Sequence, residues 1–512
     1  MGMLKLAQVM RKMGMLSPLG LYRLFAAICR YGINVMALLR IAERTYGEAA
    51  ALADDRETIS YRQLLVHSEE LSLTLKTLYG IKPGSRAALL CRNHASLVKS
   101  VFALSWAGAD IYLLNAEMSQ DQWQDLLTAY DFDLLIYDEE LIFFIEQSSY
   151  NKGKLLSYHD EKPAVNNLRP SDPSNARHSW HRTSSGTIML LTGGTTGKAK
   201  KVPHKPSLFH YLNPFHTLLE RLHLVRYHTG YIATPIYHGY GIAILLLFVA
   251  LGKKIVLTSG FDASRACALI RAHQVQVATV VPLMLDKMMK HNAEDLRSLA
   301  CIASGGAELN PKLVAGVFAK LGDVLCNLYG TSESGLNIVA APPDLRQSAH
   351  TLGRRIEGVP LFVLDEDLNE TEPGVIGQFC IRNRSWRASR NRKWIATGDM
   401  GYMDSDGLYY LCGRVDDRIV SGGENVYPIE LEHILIHHPL VEDVAVIGIS
   451  DETFGQRLMA YVQLIPHAEV NTGQLMEWLR SRTARYQMPK EIVLAEEIPY
   501  THLGKRDKKR LI

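Results

Sequence analysis

No stretch of this 512-residue chain is both long and apolar enough to cross a bilayer as a helix: the longest clean apolar run, Ile242 to Leu251, falls well short of the ~20 residues needed. Near the N-terminus the run from Leu24 to Leu39 is interrupted by Arg30, and no small-residue cleavage site follows it where a signal peptide requires one. Charge of one sign is not in excess either. Lys and Arg total 56 against 53 Asp and Glu, a formal net charge of +3, which argues against a nucleic-acid partner. The seven cysteines never form a CxxC pair, which excludes the common zinc and redox spacings. Their apolar neighbours suit reduced core thiols in a cytoplasmic protein.

Apolar residues make up 47% of the chain and charged residues 21%, the balance of a globular protein, and the length implies two or more domains. Residues 1–45 place basic and apolar positions at helical spacing, as in Leu21, Leu24, Phe25 and Ile28. They are expected to form a helical N-terminal extension packed on the body, with peripheral contact to a membrane surface as the alternative.

From about residue 50, short apolar runs such as Arg86 to Cys91, Asp110 to Leu114 and Leu134 to Tyr137 alternate with helical patterns of a dozen residues or so. This predicts parallel sheets covered on both faces. Residues 160–184 break the rhythm with Pro, Ser, Asn, Arg and His, and the alternation then resumes to Leu328. A meander is expected from Leu361 to about Tyr410, its turns at Glu372-Pro373-Gly374 and Asp404-Ser405-Asp406-Gly407. Beyond Asp416 the pattern reads as a small α+β unit. The fold class is therefore α/β, with a large domain of stacked α/β subdomains and a β-rich subdomain over 46–415 and a small α+β domain over 416–512.

The strongest local signal is Leu191-Thr192-Gly193-Gly194-Thr195-Thr196-Gly197-Lys198-Ala199-Lys200-Lys201-Val202, just after an apolar strand. Glycines allow a tight turn that presents amide donors, threonine hydroxyls add donors, and Lys200 adds a point charge, so polyphosphate is the natural guest. A Walker A loop is excluded, because Ala199 stands where it requires a hydroxyl after its lysine. The glycine spacing is not that of a dinucleotide fingerprint. Seen alone, such a turn is also compatible with a plain surface loop.

This segment resembles the phosphate-binding signature of the adenylate-forming superfamily, which includes acyl-CoA and aryl-CoA synthetases. The resemblance continues in order through Pro235 to Gly239, Ser304 to Glu308, Leu328 to Glu333, Thr397-Gly398-Asp399, Gly413 to Asp417, Ser421 to Pro428 and Pro499 to Lys505. It implies a mobile C-terminal domain and a two-step reaction with ATP, Mg²⁺ and coenzyme A, acting on a small-molecule carboxylic acid. By this likeness Thr192, Gly193, Gly194, Thr195, Thr196, Gly197 and Lys200 hold the polyphosphate. Adenine lies against Gly305, Gly306, Ala307 and Tyr329, with Gly330 beside them. Thr331 meets the α-phosphate, and Glu333 holds the metal, as a carboxylate beside phosphate oxygens suits hard Mg²⁺. Asp399 and Arg414 take the ribose, although each alone reads as a turn residue and a surface charge.

Lys505 is implied as the catalytic lysine set between two anions, Asp416 as the hinge, Gly422, Gly423 and Glu424 as a face for the pantetheine arm, and His238 as a neighbour of the substrate carboxylate or simply a helix-start residue. Cys91 to His94 and Leu113 to Ala116 are similar to one branch of fatty-acyl-CoA synthetases, implying a medium or long acyl chain. A carrier-protein phosphopantetheine is the alternative acceptor, and a nucleotide-binding protein without turnover the alternative class. The chain departs from the family pattern at Gly193 in place of Ser, Ala199 in place of Pro and Lys201 in place of Gly. A lost hydroxyl donor there costs about 1 kcal/mol if it meets phosphate.

Overall fold

The computed structural model describes residues 11, 17–169, 182–184, 186–193, 199–204, 208–331, 334–382, 394–501 and 504–511. These pack as two compact units, Met1–Ser304 with Gly316–Cys326, and Gly305–Ala315 with Asn327–Ile512.

The first unit holds two sheets. One runs in the order Gly153–Leu156, Leu134–Tyr137, Arg86–Leu90, Asp110–Leu113, Ile188–Gly193, Ala199–His204, and every neighbouring pair is parallel except the last. The other runs Cys301–Gly305, Val277–Val280, Thr229–Ile232, Lys254–Leu257, Ala50–Ala53, Thr58–Ser60, again parallel except for the last pair. Strands buried on both faces carry continuous apolar runs instead of alternation, and Leu134–Tyr137 and Val277–Val280 are buried at every position.

Local chemistry sets the helix ends. Ser60 and Gln63 form a reciprocal cap that starts helix Tyr61–Tyr79, and left-handed Gly80 ends it. Helix Ala95–Ala107 is buried along its whole length, so it has no polar face to offer. Its one cation, Lys99, is paired with Glu57 at 2.5 Å.

The N-terminal extension is two helices, Pro18–Tyr31 and Val35–Tyr46. They divide at Gly32, whose φ of +89° and whose missing Cβ, which would lie 2.0 Å from the Thr183 carbonyl oxygen, admit only glycine. The second helix buries Met36, Leu39, Ile41 and Ala42, as expected of a packed extension.

In the second unit, Leu325–Thr331, Gly335–Ala340 and Arg354–Arg355 pair antiparallel. Leu361–Leu364, Gly377–Arg382, Trp394–Met403 and Tyr409–Arg414 form the expected meander around Phe379 and Leu361. The C-terminal sheet runs Glu424–Val426, Ile419–Ser421, Gly455–Leu464, Val441–Asp451, and Glu491–Ala495 lies parallel to Gly455–Leu464. Helix Pro428–Leu435, which the sequence reading missed, packs Leu431 and Leu435 into that core, with Pro at its first turn. Among the described residues no helix is long and apolar enough to cross a membrane. The described cysteines are all free, and each is buried except Cys29.

Candidate active site

The meander brings Asp399 and Arg414 together by register. They are direct partners across strands Trp394–Met403 and Tyr409–Arg414, and Arg414 Nη1 donates to Asp399 Oδ1 at 3.0 Å. Gly398 lets this happen. Its φ is +83°, and a Cβ there would stand 2.7 Å from the Arg414 guanidinium. The Thr397 hydroxyl donates to the Phe379 carbonyl at 2.8 Å and accepts from the Asp399 N–H at 3.1 Å, which locks the turn.

Tyr329 completes the cluster, its hydroxyl donating to Asp399 Oδ2 at 2.6 Å while its ring meets Phe379 edge-on. The Asp399 carboxylate is 8% exposed. Burial raises its pKa above the ordinary value, against the opposing pull of the Tyr329 hydrogen bond and of the Arg414 and Lys505 charges. Burial and the facing carboxylate also raise Tyr329. A desolvated carboxylate held by two donors, with lone pairs to spare, fits a vicinal diol such as a ribose.

Strand Leu325–Thr331 turns at a bulge. The register shifts between Tyr329 and Gly330, where a Cβ would lie 2.4 Å from the Gly335 carbonyl oxygen. The Thr331 hydroxyl is 2.7 Å from that of Ser334 and accepts from the Ser334 N–H. Its neighbour Glu333, the expected metal ligand, lies outside the described residues. Gly306 has a φ of +86°, consistent with main chain exposed to a flat ring.

Lys505 is exposed on a tight turn closed by the Tyr500 to Arg506 bridge, with Gly504 at φ +73°. Its ammonium is among the charges that lower the Asp399 pKa. Arg506 anchors the turn: it reaches Asp443 at 2.9 Å, Glu432 at 3.1 Å and Glu308 at 3.8 Å. Lys508 pairs with buried Glu432 at 2.7 Å. Asp416 is exposed on the single turn Val415–Asp417. Gly422 and Gly423, at φ +61° and +94°, form the two-residue hairpin between Ile419–Ser421 and Glu424–Val426, with Glu424 exposed.

In the first unit, Thr192 faces Lys200 and Gly193 faces Ala199 across an antiparallel pair. Gly194, Thr195, Thr196 and Gly197 lie outside the described residues. His238 is the residue before helix Gly239–Ala250, and its ring packs 4.5 Å from that of Tyr237.

Sequence reasoning missed what holds this segment. Asn93 donates to the Thr234 carbonyl at 3.0 Å and accepts from the Ile236 N–H at 2.8 Å. Its only signal was a polar side chain between a strand and a buried helix. Glu308 and Arg506 were likewise not read as anchors, because their partners are distant in sequence.

Comparison with known proteins shows the family. Residues 39–386 match the family described as AMP-binding enzyme, and 430–505 match the AMP-binding enzyme C-terminal domain. A 2-succinylbenzoate–CoA ligase of Bacillus licheniformis is 30% identical over 90% of this chain and 95% of its own. In fold, the chain resembles the amide bond synthetase McbA of Marinactinospora thermotolerans, with a TM-score of 0.81 at 22% identity over 93% of this chain and 99% of the other. It also resembles the Bacillus subtilis o-succinylbenzoate CoA synthetase bound to its acyl-adenylate intermediate, with a TM-score of 0.75 at 24% identity over 93% and 97%. The chain belongs to the AMP-binding enzyme family and is an adenylate-forming acyl-CoA ligase that uses ATP, Mg²⁺ and coenzyme A.

Proposed function

We propose that this ligase activates an aromatic carboxylic acid, with Asp399, Arg414 and Tyr329 holding the nucleotide ribose and Lys505 acting at the reacting phosphate. The observation that carries the nucleotide assignment is the buried Asp399 carboxylate, doubly held and within the field of Lys505. The aromatic assignment rests on the relatives, several of which are 2-succinylbenzoate–CoA ligases. These relatives give no support to the fatty-acyl chain that the sequence likeness had implied.

In the first step a substrate carboxylate oxygen attacks the α-phosphorus of ATP, and the bond to pyrophosphate breaks. Lys505 offsets the negative charge that builds between the two anions, an interaction strongest in the transition state. Glu333 would hold Mg²⁺, which would supply charge neutralisation at the phosphates. In the second step the CoA sulfur attacks the acyl carbon, the bond to AMP breaks, and the thiol proton leaves to solvent. Asp416 is the hinge between the two steps, and Gly422, Gly423 and Glu424 form the face that meets the pantetheine arm.

Pyrophosphate–ATP exchange across a panel of benzoate-type and straight-chain acids, followed by thioester detection with CoA, tests this reading. Exchange driven by straight-chain acids alone overturns the aromatic assignment. No exchange with any acid, from folded protein, overturns the site.

A further inference from the structure

Side chains able to ligate a metal gather in the second unit, beside the Gly305 to Ala307 turn. Glu308 follows the Gly305 to Ala307 turn, His350 sits in the loop before strand Arg354–Arg355, and His433 lies on helix Pro428–Leu435, with His437 just beyond it. One ligand atom from each of Glu308, His350 and His433 lies within 4.8 Å of the other two. The His433 ring nitrogen Nε2 bonds directly to Glu308 Oε1. His350 Nε2 and His437 Nε2 are 3.4 Å apart, within reach of a hydrogen bond.

Three features of the cluster suit a cation better than a set of hydrogen bonds. His437 Nδ1 lies 2.6 Å from the His433 carbonyl oxygen and must donate to it, so its Nε2 presents a lone pair toward His350. His350 Nε2 donates to that lone pair at 3.4 Å, which leaves His350 Nδ1 as the nitrogen free to ligate, the usual support of a metal-bound histidine. His350 Nδ1 is buried with no hydrogen-bond partner, an orphaned lone pair that a cation satisfies.

The charges also leave room for an ion. Arg506 and Lys508 are the cations, and Glu308, Glu432 and Asp443 are the carboxylates they pair with, which leaves one negative charge over. The other such constellation, Cys91, His94 and Asp138, lacks this capacity. There His94 Nδ1 accepts from the Leu97 N–H, its Nε2 meets Asp138, and Asp138 accepts further from Ser157 and the Arg92 N–H, so its carboxylate and both histidine nitrogens are already engaged.

We infer that Glu308, His350 and His433 form a three-donor binding site for one divalent transition-metal ion of the zinc class. Imidazole nitrogens with a single carboxylate suit zinc and cobalt rather than magnesium or calcium. The ion replaces the proton shared by His433 and Glu308 and moves those two atoms about 1 Å apart, to the separation of neighbouring ligands. Glu308 and His350 fall within the segment matched by the AMP-binding model, and His433 and His437 within that matched by the C-terminal model. A bound ion therefore staples these two segments together. On the two-step reading proposed above, it slows thioester formation more than adenylation.

The test uses full-length protein stripped with EDTA and titrated with Co²⁺, followed by competition with Zn²⁺. The expected result is one Co²⁺ per chain with the strong visible absorption of a four-coordinate site, displaced by Zn²⁺, and a loss of affinity of tenfold or more in His350→Ala and in His433→Gln. His437→Ala, an exposed position that orients His350, keeps the test valid if either variant fails to fold, and it is expected to weaken binding. Equal affinity and spectrum in wild type and in every folded variant, or only the weak absorption of a six-coordinate ion, overturns the site. Because the readout is binding, failure of the proposed substrate or of the two-step reading leaves this result unaffected.

Discussion

Replacing Asp399 by Asn changes one atom in a buried cluster, and the structure sets the cost. Oδ1 accepts from Arg414 and Oδ2 from Tyr329, so an amide nitrogen on either side meets a donor. The side facing Arg414 is worse, because a guanidinium cannot accept a hydrogen bond, whereas the Tyr329 hydroxyl can rotate and do so. The amide therefore turns its nitrogen toward Tyr329 and keeps a neutral acceptor toward Arg414. A hydrogen bond to a carboxylate contributes about 1.5–3 kcal/mol and a neutral one about 1 kcal/mol. Loss of the charge costs about 0.5–2 kcal/mol at each of two ribose hydroxyls, about 1–4 kcal/mol in nucleotide binding, which raises the KM for ATP by roughly fivefold or more. Pyrophosphate–ATP exchange with ATP as the varied substrate measures this, with thermal melting to confirm that the variant is folded. A KM for ATP within about twofold of wild type, from folded Asp399→Asn protein, would refute the ribose assignment.

The pH profile gives an independent reading of the same residue. Burial raises the Asp399 pKa, so the folded protein holds this proton at pH values where the unfolded chain has lost it. Stability from this group is therefore greatest below the ordinary aspartate pKa and declines as pH rises through the raised value, while ATP affinity, which needs the carboxylate, rises over the same window. The acidic limb of kcat/KM for ATP is expected above the ordinary aspartate range and absent in Asp399→Asn. Lys505→Ala is expected to cut acyl-adenylate formation by roughly 100-fold or more while leaving thioester formation from preformed adenylate within a few-fold, as separate half-reaction assays would show. Asp138→Asn sets an amide nitrogen against the Arg92 N–H or the His94 and Ser157 donors, and is expected to cost about 1–3 kcal/mol in chemical denaturation. Asn93→Ala frees the Thr234 to Ile236 segment and is expected to cost about 2 kcal/mol and raise the KM for the acid.

The parts of this fold that were legible in the sequence are those written in local pattern. The runs at Leu134 to Tyr137 and Val277 to Val280 are fully buried parallel strands, as their continuous apolar character requires. Strand Gly153–Leu156 escaped notice because four residues with a Gly and a Lys carry no periodic signal. Strand Ala199–His204 was hidden because its lysines read as phosphate ligands, although lysines are also ordinary on an edge strand. Asp399 and Arg414 were singled out by family likeness, and their contact follows from a register that no local motif states. The Glu308 to His433 contact was not legible at all, since it depends on how two segments more than a hundred residues apart pack together.

Those contacts divide into two kinds, and the division bears on how Lys505 can be positioned for one step and withdrawn for the next. Arg506, its neighbour, is held by Glu432 and Asp443, and Lys508 by Glu432, all within the C-terminal segment, so these pairs travel with it through any rotation about Asp416. Among the described residues, contacts that reach outside the segment include Arg506 to Glu308 at 3.8 Å, Arg418 to Glu366 at 3.9 Å, His350 to His437 at 3.4 Å, His433 to Glu308, and the Lys312 ammonium to the carbonyls of His438 and Val441. Breaking a buried charge network by removing one partner costs several kcal/mol, whereas parting surfaces that water can reach costs far less. Internal pairing keeps the Lys505 turn rigid, and the outside contacts that water can reach keep its docking reversible. Arg506→Ala is therefore expected to lower the stability of the segment itself, while Lys312→Ala is expected to leave stability nearly unchanged and shift only the ratio of the two half-reactions. Equal destabilisation by both substitutions in thermal melting would show that the contacts form one network and that this division is wrong.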